Sequence, residues 1–166
     1  MAAGSTYTPL ATNTLSTATA SVTFSSISGA YTDLVLVING KITITAEVPV
    51  IEFNADTGAN YSFTRLAGNG TTASSARATG VAYIPPAWNI YWDNANPATA
   101  IMNIMNYSNT TTYKTVLSRG SDAASSVQTV VGLWRNTAAI TSIKVYGSAG
   151  NLNTGMTLTL YGIAAA

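Results

Sequence analysis

The one stretch of this chain whose residue types could carry catalysis is Asp56-Thr57-Gly58-Ala59. Two Asp-Thr-Gly loops that share a proton make the acid–base dyad of an aspartic protease. The chain holds one such loop, so a second copy would have to complete the dyad. The residues in front of it, Glu52, Asn54 and Ala55, are a poor apolar lead-in. The same residues read more simply as a turn, with Asx hydrogen bonds and a glycine free to take positive φ. Other chemistry is short of parts. The chain has no His and no Cys, which removes Ser–His and Cys–His nucleophile pairs and the usual zinc sites. Its six carboxylates are Asp33, Glu47, Glu52, Asp56, Asp93 and Asp122. Glycosidases place two carboxylates about 5 to 9 Å apart. Glu47 and Glu52 differ by an odd number, so a regular strand would turn them to opposite faces, although Pro49 between them could break that parity. Oxygen ligation of a calcium ion at the Asp56 turn is the metal site that composition leaves open. The expectation is a protein that is not an enzyme, with no catalytic residue, no cofactor and no metal.

Binding chemistry is better supplied. Trp88, Tyr91 and Trp92 fall within the Pro- and Asn-rich segment 85 to 98. Rings of this kind beside amides grip proteins and carbohydrates, and Trp and Tyr are enriched in hot spots. They could equally plug one end of a β-structure. Tyr7 and Pro9 lie in a polar lead-in, residues 1 to 13, which could act as an arm that adds a strand to a neighbour. These five residues are the candidate partner-binding set. Asn-x-Ser/Thr sequons begin at Asn60, Asn69, Asn106 and Asn109, without a secretory leader to give them meaning. Gly68-Asn69-Gly70 reads as a tight turn, and Lys41 as a solvated strand end.

The elements that must hold these residues are strands. The chain has 166 residues, enough for one domain with a real core. Charged residues are 8% of it and apolar residues 47%, with a net charge of +1. The four arginines, Arg65, Arg77, Arg119 and Arg135, are scattered. That argues against nucleic acid and against an anionic membrane surface. No apolar run approaches a membrane span. Alternation of period two recurs at 21–25, 41–45, 61–66, 113–118 and 156–163. Leu34 to Ile38 is continuously apolar, as a central strand covered on both faces would be. Pro49 marks Val50 to Phe53 as an edge or a bulge. Further strands are expected at 80–84, 100–107, 127–134 and 142–146. About ten strands with short turns and no amphipathic helix make an antiparallel β-sandwich spanning 14 to 166.

Several blocks carry a resemblance: Tyr7 to Thr12, Ala20 to Ile27, Tyr31 to Val37, Phe53 to Ser62, Gly132 to Arg135 and Gly155 to Ile163. In order, they resemble small jelly-roll virion proteins of tailed bacteriophages, which decorate capsids or form the heads of fibres. The segments 41 to 50 and 85 to 98 depart from that pattern. The resemblance implies a jelly-roll domain and a structural role, and carries over no catalytic residue. The expected role is a capsid decoration, or cement, protein on the outer surface of the virion. Its expected partners are the major capsid protein and copies of itself, as a trimer. The chain opens on Met1 and shows no shaft, coiled-coil heptads or triple-helix repeat, which favours decoration. The alternative is a tail-fibre or spike head that binds a host-surface glycan or protein.

Overall fold

The structure, a computed structural model, describes residues 6–45, 47–88, 92, 94–122 and 125–164. The fold is all-β, a sandwich of two antiparallel sheets. The strands are β1 (Tyr7–Thr14), β2 (Ser21–Phe24), β3 (Asp33–Gly40), β4 (Pro49–Phe53), β5 (Tyr61–Gly68), β6 (Ala73–Val81), β7 (Ala98–Met105), β8 (Lys114–Asp122), β9 (Val127–Trp134), β10 (Ile143–Gly147) and β11 (Thr157–Ile163). The large sheet has eight strands in the order β1-β11-β3-β7-β8-β9-β5-β6. The small sheet has three, β2-β10-β4.

Alternation sets the faces. Leu34, Leu36 and Ile38 of β3 point inward and are fully buried, as are Met102 and Ile104 of β7 and Leu158 of β11. Val22, Phe24, Ile51, Phe53, Ile143 and Val145 of the small sheet meet them in one core cluster. In β11 the expected split holds, with Leu158, Leu160 and Gly162 inward and Thr157, Thr159 and Tyr161 outward. Segment 98–105 is a strand, with Ala98, Ala100, Met102 and Ile104 buried on one face. Pro49 opens β4, at the outer edge of the small sheet, where its missing N–H costs no ladder bond.

Three elements differ from the sequence expectation. Within the lead-in expected to act as an arm, Tyr7–Thr14 forms β1 and pairs along β11 of its own chain, from Tyr7 opposite Ile163 to Thr14 opposite Thr157. Segment 41–45 is not a strand. Ile42 is buried and makes a lone bridge to Leu152, while Thr43 exchanges hydrogen bonds with Asn151. The strand expected at 80–84 lies earlier, as β6 at 73–81. Ala-Ser-Ser-Ala-Arg-Ala-Thr has almost no large apolar residue, because β6 is an edge strand exposed along most of its length.

The three-stranded sheet is too narrow to cover eight strands, and the segment after β6 extends the second layer. Ile84 exchanges two backbone hydrogen bonds with Ile51 of β4, at 2.9 and 3.0 Å. Its side chain lies on Gly132 of β9, where a Cβ would come within 2.7 Å of it. The Pro86 carbonyl accepts the Ser118 hydroxyl at 2.6 Å, and the Trp88 N–H donates to Gln128 Oε1 at 2.9 Å. Trp88 packs on Phe63 and stacks on Tyr83.

Candidate functional site: the open face of the large sheet

The second layer leaves the opposite face of the large sheet uncovered. The register places its outward side chains in rows. One row runs Ser75, Leu66, Thr129, Arg119, Ile101, Val37 and Thr159 across β6, β5, β9, β8, β7, β3 and β11. The next runs Arg77, Thr64, Val131, Leu117, Asn103, Val35 and Tyr161. The two ends of these rows differ. Toward β3, Val35 is 6% exposed. Toward β5 and β9, Leu66 and Val127 are both 62% exposed and Val131 48%, and Leu117 and Met105 also stand in solvent. Large apolar side chains grouped on one face are the informative exception to a polar surface. Three shallow depressions indent this face. The largest, about 510 Å³, is lined by Leu66, Ile101, Val127 and Arg119. A second, about 300 Å³, lies among Thr64, Arg77, Val131 and Leu133. A third, about 140 Å³, lies beside Leu117, Asn103 and Arg119.

The residues singled out from the sequence lie elsewhere. Trp92 is fully buried in the core cluster, so its ring is not on the surface. Trp88 is half-buried between Phe63 and Tyr83. Tyr91 lies outside the described residues. Tyr7 and Pro9 are exposed on edge strand β1, with Tyr7 set edge-on to Tyr161 at 6.2 Å. The sequence reading missed the open face. Its signal was present in β9, where Val127, Val130, Val131, Leu133 and Trp134 put apolar side chains on both faces of one strand.

Asp93 lies outside the described residues; the five described carboxylates are each spent inside the fold. Asp56 Oδ2 accepts the Trp134 indole N–H at 2.7 Å, and Oδ1 accepts the Gly58 N–H at 2.9 Å. The Asn60 amide donates to both oxygens. Burial pushes the Asp56 carboxyl up, but the hydrogen bonds from Trp134, Gly58 and Asn60 outweigh it and hold the group below its ordinary value. A calcium ion there would face three sets of N–H hydrogens, so this turn is a poor cation seat. Glu52 is buried and pairs with Lys144 at 3.1 Å, directly across from it in the ladder. Glu47 accepts the Ser148 hydroxyl. Asp33 accepts the Asn106 N–H at 2.6 Å. Asp122 accepts both the backbone N–H and the hydroxyl of Ser125. Among the described residues no three acidic side chains cluster as metal ligands would. Lys114 is buried, and its ammonium donates to the carbonyls of Thr112 and Thr137 at 2.8 and 3.0 Å. Desolvation holds its pKa below the ordinary lysine value.

No protein-family model matches the chain, and no curated protein matches it. Among solved structures, a protein of unknown function from Shewanella oneidensis MR-1 aligns over 100% of this chain and 82% of its own, at 8% identity and a TM-score of 0.22. A likeness at that level carries no argument about fold or function.

Proposed function

We propose that the chain is a structural protein of a tailed-bacteriophage virion, a decoration protein seated on the outer capsid surface. The observation that carries this reading is the open, apolar face of the large sheet. Large exposed apolar patches on one face mark surfaces that pack against something else. The rest of the surface is low in charge, which keeps the cost of desolvation small when protein packs against it. The described carboxylates brace turns and ladders, so the proposed role is not catalytic. Copies of the chain have a place to meet at β6, an exposed edge strand with unpaired backbone groups. Trimers suit the local three-fold positions of an icosahedral shell. The fibre-head alternative rests on an aromatic grip, and Trp88 and Trp92 of that set are packed within the sandwich.

The test is stoichiometric. Particles of the phage that encodes the chain are purified and their proteins resolved on a denaturing gel. Band intensity is then compared with the major capsid protein. Decoration predicts a copy number that scales with the capsomers of the shell. A copy number matching the symmetry of the tail, or absence from the particle, would overturn it.

A further inference from the structure

The open face carries cations that nothing in the fold balances. Arg77 of β6 and Arg119 of β8 both point outward and are exposed. Neither guanidinium makes a hydrogen bond or ion pair among the described residues, and the ion pair seen there is Lys144 to Glu52. Arg119 stands inside the apolar patch, opposite Ile101 and Thr129 in the ladder and lining the largest depression. Arg77 lines the second. Of the other basic side chains, Lys114 is bound to two carbonyls, and Arg135 donates to the Ala59 and Tyr61 carbonyls.

Charge therefore selects the occupant. The five described carboxylates, Asp33, Glu47, Glu52, Asp56 and Asp122, are all engaged within the chain. The open face itself carries none of them, so two copies packed face to face would set guanidinium against guanidinium with no counter-charge. Nucleic acid fits no better, because a phosphate track needs a series of cations and this face offers two among aliphatic side chains. Arginine surrounded by apolar surface suits a carboxylate that enters with it and is desolvated by the rim.

We propose that the open face of the large sheet docks on a different protein whose surface is apolar and bears carboxylates, one of which pairs with Arg119. This rests on the decoration role, which makes that partner the capsid shell.

The experiment uses shells purified from phage that lacks the gene for this chain. Binding of the full chain is measured by co-sedimentation. Arg119→Glu should weaken binding at least about tenfold, and the neutral Arg119→Gln should weaken it less. Added salt should weaken binding of the unmodified chain and leave Arg119→Gln less sensitive. Thr23→Glu, which lowers the net charge by one as Arg119→Gln does but at an exposed site on the small sheet, should bind as the unmodified chain does. Thermal melts of each variant establish that these exposed substitutions leave the fold intact. Undiminished binding by Arg119→Glu, with the unmodified chain bound, overturns the docking face and leaves the decoration role standing. Displacement of the chain by sheared duplex DNA would make phosphate the ligand and also overturn it. Failure of the unmodified chain to bind shells overturns the decoration role and the docking face together.

Discussion

Asp56 is the residue where chemistry and architecture compete, and architecture wins. Its two oxygens collect N–H donors from Trp134, Gly58 and Asn60. The Tyr61 hydroxyl donates to its carbonyl at 3.0 Å and also receives the Phe53 N–H. Phe53, Tyr61 and Trp134 pack together at 5.6 to 6.3 Å between ring centres. Asp56→Ala should therefore cost about 1–2 kcal/mol, at the lower end for charged hydrogen bonds because the carboxylate is partly solvated. The sign of the pH effect follows from the lowered pKa. The carboxylate's contribution is complete above its unfolded-state value of about 3.8 and is lost as pH falls through the lower folded value. Urea denaturation of wild type and Asp56→Ala should show the gap at neutral pH and its closure in strong acid. A gap unchanged by acid would mean that the ionised carboxylate is not the brace. The turn was legible in the sequence, since Asp-Thr-Gly without a second copy favours Asx bonding. Its partner, Trp134, was not legible, because 78 residues separate the two and only the β5–β9 pairing brings them together. The segments Phe53 to Ser62 and Gly132 to Arg135 meet at this corner.

At the scale of elements, strands with a buried face were readable and strands without one were not. β3 and β11 announce themselves by continuous or alternating apolar residues that fill the core. β6 has no buried face to encode, and β1 carries mostly exposed residues, so neither leaves a hydrophobic period. Two of the hairpin turns follow one local rule. Asn69 Oδ1 accepts the N–H groups of Thr71 and Thr72, and Asn109 Oδ1 those of Thr111 and Thr112. Segment 82–88 could not be read as a layer, because its role depends on the narrowness of a sheet made from distant strands. Its docking onto β9 is testable at Gly132. A Cβ there meets Ile84 Cγ2 at 2.7 Å and Cδ1 at 2.9 Å, and Ile84 is pinned to Ile51 by two backbone bonds. Gly132→Ala should destabilise by about 1–3 kcal/mol. Gly68→Ala, with nothing within 4 Å of its Cβ, should change stability by less than about 0.5 kcal/mol. Equal melting temperatures for the two variants would mean that Ile84 moves aside freely and the segment is not a fixed layer.

For the whole molecule, the imbalance between eight strands and three is the feature with functional weight. One face of the large sheet is sealed by the small sheet and the segment after β6. The other face presents Leu66, Leu117, Val127 and Val131 around Arg119. A composition low in charge and rich in strand-forming residues is compatible with packing against other proteins. It could not say which surface does so, because outward apolar side chains look the same in sequence as inward ones until the partner strands are known. The proposed docking face thus belongs to the tertiary arrangement, whereas Trp92, which stood out in sequence, went to the core and Trp88 packs against it. The most direct test of the account is a cryo-EM reconstruction of the virion that encodes this chain. The account predicts the domain repeated over the capsid surface, with β5, β8 and β9 turned toward the shell and Arg119 beside a carboxylate of the capsid protein. Domains confined to the tail, or seated on the shell with that face turned to solvent, would contradict it.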